Sequence, residues 1–191
     1  MTARLDLLAH GPSSATRAAR FPDNEGMEGS AVSALEALHG KLRSYSCVLT
    51  SPARAAQETT VALGLEATVE TALQDCDYGR WRGLEVADVA GREPEKFAAW
   101  LSDPTAAPHG GESLAALIER AGVWLGQSLT REGATLAVTH AAVVRAAIVS
   151  ALGAGSSAFW RIDVAPLALA RLSGREGRWN LVALGPLGER L

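Results

Sequence analysis

The sequence predicts a three-layer α/β/α sandwich around a mostly parallel central sheet with antiparallel additions. Three observations carry that expectation. Short apolar runs at residues 5–9, 47–50 and 134–139 alternate with helical periodicities, the order that builds strand–helix units. Each run stops at a polar or turn-forming residue, as buried strands do where they open into loops. The last stretch, residues 159–184, alternates apolar and polar side chains and reads as two or three antiparallel strands.

Taken in order, residues 5–9 are an apolar run closed by His10-Gly11-Pro12. Residues 30–42 place Val32, Leu35, Leu38 and Leu42 at a helical period. The strand at 47–50 stops at Ser51-Pro52, and the spacing predicts a helix to residue 63 with Ser51 as N-cap and Pro52 at its first position. Residues 61–73 combine a helix end, a glycine stop at Gly64 and a short strand. Residues 74–83 are polar, aromatic and glycine-containing, a structured loop. Residues 93–101 read as a helix, and residues 103–111, with two prolines and two glycines, as a loop. From Gly111-Glu112-Ser113 a long amphipathic helix runs through Leu114, Leu117, Ile118, Ala121, Leu125 and Leu129. Residues 134–139 form the third core strand and 141–152 a further helix. No repeat, low-complexity segment or linker divides the chain, so residues 1–191 read as one domain.

Composition excludes several classes of function. Of 191 residues, 36 are alanine, 19 glycine and only 10 aromatic, and 16 of the 18 basic residues are arginine. That bias reads as compositional background. An apolar fraction of 48% with 20% charged residues is that of a soluble globular protein large enough to bury a core unaided. A net charge of -3 with interspersed signs leaves no footprint for nucleic acid. Cys47 and Cys76 stand outside any CxxC frame, so neither a zinc site nor a disulfide framework is expected. Asp6 and His10 interrupt the N-terminal apolar run, which argues against a signal peptide, and no run of 18 apolar residues reads as a membrane span. A cytoplasmic location is the default expectation.

The chemistry is expected at the strand ends. His10 follows the first strand and His140 the third, while Arg54 lies on the first turn of the helix after the second. Ligands of open α/β sheets bind at the carboxyl ends of strands, so parallel neighbours bring these side chains into one crevice. Two histidines and an arginine beside helix N-termini suit an anion, phosphate above all. Singly, a strand-end histidine also serves to cap a helix, and Arg54 alone reads as a solvated side chain. The joint placement at three strand ends favours a site.

Five segments then carry a resemblance. Residues 7–11, Leu-Leu-Ala-His-Gly, look like an opening Arg-His-Gly motif. Residues 50–59, Thr-Ser-Pro-Ala-Arg-Ala-Ala-Gln-Glu-Thr, are similar to Ser-Ser-Pro-x-x-Arg-Ala-x-Gln-Thr. Residues 75–83, Asp-Cys-Asp-Tyr-Gly-Arg-Trp-Arg-Gly, resemble an acidic loop ending Phe-Gly-x-Trp-x-Gly. His109-Gly110-Gly111-Glu112-Ser113 matches a Gly-Gly-Glu-Ser turn, and residues 138–145, Val-Thr-His-Ala-Ala-Val-Val-Arg, a second-histidine motif. In this order and over nearly the whole chain they resemble the histidine phosphatase superfamily, with its phosphoglycerate-mutase-like fold.

The resemblance implies a phosphatase acting on a small phosphorylated metabolite through a phosphohistidine, with no metal or organic cofactor. His10 is the implied nucleophile, His140 a protonated donor to the phosphoryl oxygens, and Arg54 their planar clamp. Gly11 and Ser13, with the backbone amides after His10, complete the phosphate site. Asp75 aligns with the acid that protonates the leaving oxygen, and Asp77 is its competitor. Two positions depart from the pattern. Ala9 stands where the motif has arginine, and Thr16 where many members have asparagine; Arg17 or Arg20 is the candidate replacement for the missing charge. The alternative reading is therefore a catalytically degenerate member that serves as an anion-binding or regulatory module. A mutase ranks third, because the stretch between Gly83 and His109 is short. His39, on the polar side of its helix, and His109 are placed outside the chemical centre. The five tryptophans read as core, and Glu112 as a helix-start carboxylate. Neither the substrate nor the oligomeric state is legible.

Overall fold

The computed structural model describes residues 3–38, 40 and 42–188; His39 lies outside the described residues. Six strands are formed: β1 (Ala3–Ala9), β2 (Cys47–Thr50), β3 (Thr68–Val69), β4 (Ala134–Thr139), β5 (Ala168–Arg175) and β6 (Arg178–Pro186). They make one sheet in the order β3-β2-β4-β1-β5-β6. The first four run parallel, and β5 and β6 add antiparallel. This is the mostly parallel sheet with antiparallel additions that the sequence predicts.

Helices cover both faces: α1 (Ser14–Arg17), α2 (Gly29–Glu36), α3 (Arg54–Ala62), α4 (Val86–Arg92), α5 (Pro94–Ser102), α6 (Leu114–Ser128) and α7 (Ala141–Ala151). The alternation of β1 explains how. Leu5, Leu7 and Ala9 join α6 and α7 in one core cluster, whereas Leu8 faces Leu35 of α2 and Ala56 of α3 in another. Asp6 is the exception on that strand. Its fully buried carboxylate is held by Arg43 at 2.9 Å, Arg171 at 3.5 Å and the Tyr45 hydroxyl at 2.8 Å. A buried carboxylate persists when its lone pairs are taken up in this way.

Three local expectations are corrected. The helix expected over 30–42 closes after Glu36. The helix after β2 starts at Arg54, not at Pro52, because the Ser51 hydroxyl accepts the Ala53 amide at 3.2 Å in a tight turn and faces a histidine. Two short helices also escape the periodicity. Four-residue α1 is held by a Ser13/Thr16 capping box, and α4 buries only Val89. Trp81, Trp124 and Trp179 are buried, in keeping with a core role, but Trp160 is 37% exposed. Both cysteines are free thiols, and no described helix is long and apolar enough to cross a membrane.

The loop at 74–83 is anchored by backbone contact. The amide of Arg80 donates to the His109 carbonyl at 3.0 Å and that of Glu112 to the Asp77 carbonyl at 2.7 Å. A Cβ on Gly111 would lie 2.0 Å from the Asp77 carbonyl oxygen, so only glycine lets the two loops touch. Gly111→Ala is therefore expected to destabilise by about 2 kcal/mol or more. A thermal melt reads this as a midpoint roughly 4–8 °C lower.

Candidate active site

The sheet sets the positions of the two histidines. β1 and β4 are parallel neighbours with Ala9 opposite Thr139, and the His10 amide donates to the Thr139 carbonyl at 2.8 Å. One residue further on, both side chains leave the strand ends together, their rings 5.0 Å apart and edge to face. They line a cavity of about 370 Å³ with Ser13, Asp23, Glu25, Ala55, Asp75, Asp77 and Arg82.

The Nδ1 of His10 lies 2.7 Å from the Gly11 carbonyl oxygen. A carbonyl only accepts, so Nδ1 carries the proton and the neutral ring leaves the lone pair on Nε2. Burial, followed by the nearby His140, lowers the pKa of His10. Neutral imidazole is the nucleophilic form. His140 is 5% exposed and its Nε2 sits 2.9 Å from the Ser51 hydroxyl oxygen. Burial, reinforced by the nearby Arg120 charge, pushes its pKa down to about 3. The ring is thus neutral near pH 7, not the protonated donor the resemblance implies.

Asp75 reaches the cavity from the anchored loop, with Oδ2 3.4 Å from His140 Nδ1 and Oδ1 accepting the Cys76 amide at 2.9 Å. Burial pushes its pKa up to about 6, against the pull of that amide and of His10. Since His140 is neutral, the Asp75–His140 contact is that of a carboxyl group against an uncharged ring. Asp77 differs: its Oδ1 accepts the Gly79 amide at 2.9 Å and Arg82 at 2.8 Å, which lowers its pKa. Of the two carboxyl groups only Asp75 is poised to exchange a proton near neutrality.

The loop bearing Asp75 is fixed from α6. Arg120 grips Glu112 through two hydrogen bonds of 2.9 and 2.7 Å and reaches the carbonyls of Ala72, Gln74 and Asp75 at 2.8, 3.0 and 3.3 Å. Glu112 is therefore more than a helix-start carboxylate: it orients the arginine that fixes this loop.

The expected anion clamp is not assembled. The Arg54 side chain is 68% exposed, pairs with Glu58 at 2.6 Å and faces a separate surface hollow. The reason is helical phase. Counted from Pro52, two intervening residues place the motif's arginine at position 55, and Ala56 and Thr59 then match its alanine and threonine. Ala55 is the residue on the cavity wall; Arg54, about 100° away around the helix, points elsewhere. Ala9 is buried in the core on the α6–α7 side. The Gly11 amide is already bonded to the Thr59 hydroxyl at 2.9 Å, so it is not free to hold an anion. Arg17 pairs with Glu28, and Arg20 donates to the Ser14 hydroxyl at 3.3 Å. Neither lines the cavity. His109 is buried against Trp81, away from it.

Sequence reasoning missed four lining or contacting residues. Ser51 and Arg82 lay inside quoted motifs, and a count of polar side chains in those motifs would have found them. Asp23 and Glu25 sit in the 22–28 segment, where no pattern marks them. Among the described residues, Arg82 is the single arginine on the cavity wall.

The histidine phosphatase superfamily (branch 1) pattern matches residues 10–186. A bifunctional protein of Mycobacterium tuberculosis is 34% identical over 182 residues, covering 87% of this chain and 50% of that protein. The chain thus spans about half the length of these curated relatives. A glucosyl-3-phosphoglycerate phosphatase of the same organism is 32% identical over 154 residues, 68% of each chain. The solved structure of mycobacterial glucosyl-3-phosphoglycerate phosphatase superposes with a TM-score of 0.81 at 27% identity, covering 95% of this chain and 98% of that one. With the paired strand-end histidines and a pattern match over most of its length, the chain belongs to the histidine phosphatase superfamily.

Proposed function

We propose that the protein is a metal-independent phosphatase that hydrolyses a small phosphomonoester through a phosphohistidine on His10. The observation that carries this is the neutral His10 ring, its Nε2 lone pair left free beside a carboxyl group with a pKa of about 6 in one cavity. Phosphatases among its relatives support the same reading. His10 Nε2 attacks phosphorus, the P–O bond to the alcohol breaks, and Asp75 delivers its proton to the departing oxygen. Water then gives a proton to Asp75 and attacks phosphorus. The P–N bond breaks, and phosphate leaves. Arg82 and the Ser13 hydroxyl are the side chains on the wall that meet the phosphoryl oxygens, with Arg82 as the charge that stabilises them. Arg54 serves this reaction only by leaving Glu58.

Ala9, Ala55 and the outward Arg54 favour a second reading, an anion-binding module without turnover. Rapid quenching with labelled p-nitrophenyl phosphate in the presence of a chelator separates the two. Phosphate release with an acid-labile, alkali-stable adduct on His10 is expected. Phosphate bound without release or adduct would leave the binding module.

Ala55→Arg is expected to raise kcat/KM on the same ester by about 10²–10³, the range lost elsewhere when one charge-stabilising donor is removed. An unchanged value would show that the wall at position 55 does not face the phosphoryl group.

A further inference from the structure

The cavity around His10 has an unusual charge balance for a phosphate site. Arg82 is its single arginine among the described residues and is held by Asp77 at 2.8 Å. Asp23 and Glu25 also line it, and neither has a cationic partner among the described residues. Glu25 is partly buried, accepts the Asp23 amide at 2.8 Å and faces His10 closely enough to act on it electrostatically. The side chains that would offset these carboxylates are missing from the wall, since position 55 is alanine and Arg54 points to Glu58. His140, on the same wall, is 95% buried with its Nδ1 turned to Asp75 at 3.4 Å, so it adds no positive charge to offset these carboxylates.

A phosphomonoester of an uncharged alcohol brings two negative charges to these uncompensated carboxylates, and like charges brought together oppose binding. An ester that carries its own positive charge reverses that term. From this balance, and resting on the phosphatase reading above, we infer that the substrate is zwitterionic: a phosphomonoester whose alcohol bears an ammonium group, which docks against Glu25 and Asp23 while the phosphoryl group lies at His10. Glu25, the more buried of the two and the one that acts on His10, is the principal specificity residue. Asp23 at the more open rim admits amines of different reach.

The test uses matched esters that differ only in that charge: 2-aminoethyl against 2-hydroxyethyl phosphate, and 4-aminobutyl against 4-hydroxybutyl phosphate. All are assayed with chelator, and p-nitrophenyl phosphate reports whether the site turns over at all. In at least one pair the amine is expected to have a kcat/KM about tenfold or more above its hydroxyl partner, mainly through KM and weakened by salt. Glu25→Gln is expected to lower the amine ester and raise the hydroxyl ester, so that their ratio collapses towards one. p-Nitrophenyl phosphate turnover without amine preference in either pair overturns the inference and leaves the phosphatase reading standing. So does a preference that Glu25→Gln and Asp23→Asn leave intact, or hydroxyl esters that match the amines once magnesium is added, since the charge is then met by a metal ion. Failure of every ester, p-nitrophenyl phosphate included, overturns both.

Discussion

His10→Ala is expected to take phosphomonoester turnover to background, a loss of about 10⁴ or more, as when a covalent nucleophile is removed from other hydrolases. No other described side chain is placed to replace it. His140 has its Nε2 against Ser51 and its Nδ1 against Asp75, and burial holds the Cys76 thiol protonated. The variant should fold, because the His10 ring bonds only its own neighbour, the Gly11 carbonyl. Circular dichroism and the melting midpoint serve as controls. Turnover that survives in a folded His10→Ala protein would place the nucleophile elsewhere or make water the direct attacker.

Asp75→Ala carries the second large effect, and its size depends on the leaving group. With an alkyl phosphate the departing alkoxide needs a proton, and loss of the acid should cost about 10²–10⁴ in kcat/KM. With p-nitrophenyl phosphate the leaving group is stable unprotonated, and the loss should be much smaller. The pH profile follows from the same group. The first step needs Asp75 protonated and His10 neutral. With Asp75 near 6, the rate on an alkyl ester should fall about tenfold per pH unit above that value. The lowered pKa of His10 keeps the ring neutral there, so the acid limb lies at lower pH. In Asp75→Ala the alkaline limb should vanish. If it persists, another group titrates, and Asp77 is a poor candidate because Arg82 and the Gly79 amide hold it ionised.

The strand ends were legible because the apolar runs that build β1, β2 and β4 are short, buried on both faces and abruptly ended. His10 and His140 then follow from chain order alone. Asp75 was readable from its place in a motif, but its environment was not. What raises its pKa is burial beneath loops whose contact depends on Gly79 and Gly111, and no local pattern reports that. Arg54 marks the limit most clearly. Residue type and neighbourhood pointed to a clamp, but a shift of one residue along a helix turns a side chain by more than a quarter of the circumference. Arg82 and Glu25 reach the cavity from loops whose course is set by tertiary packing, so neither spacing nor periodicity foretells them. α1 and α4 escaped for a simpler reason: four and seven residues leave too little apolar stripe to register.

The pairing of β1 with β4 has a consequence for how such a site can change. The two imidazoles are spaced by backbone hydrogen bonds between central strands, with Ala9 opposite Thr139 and the His10 amide on the Thr139 carbonyl. The charges around them are carried on loops, and helix α3 adds only the uncharged Ala55 to the wall. Substitutions at positions 23, 25, 55 or 82 therefore rewrite the electrostatics of the cavity without disturbing the distance between the rings. The sheet works as a fixed chassis for the nucleophile, and ligand preference is a separately replaceable part, exchanged one side chain at a time.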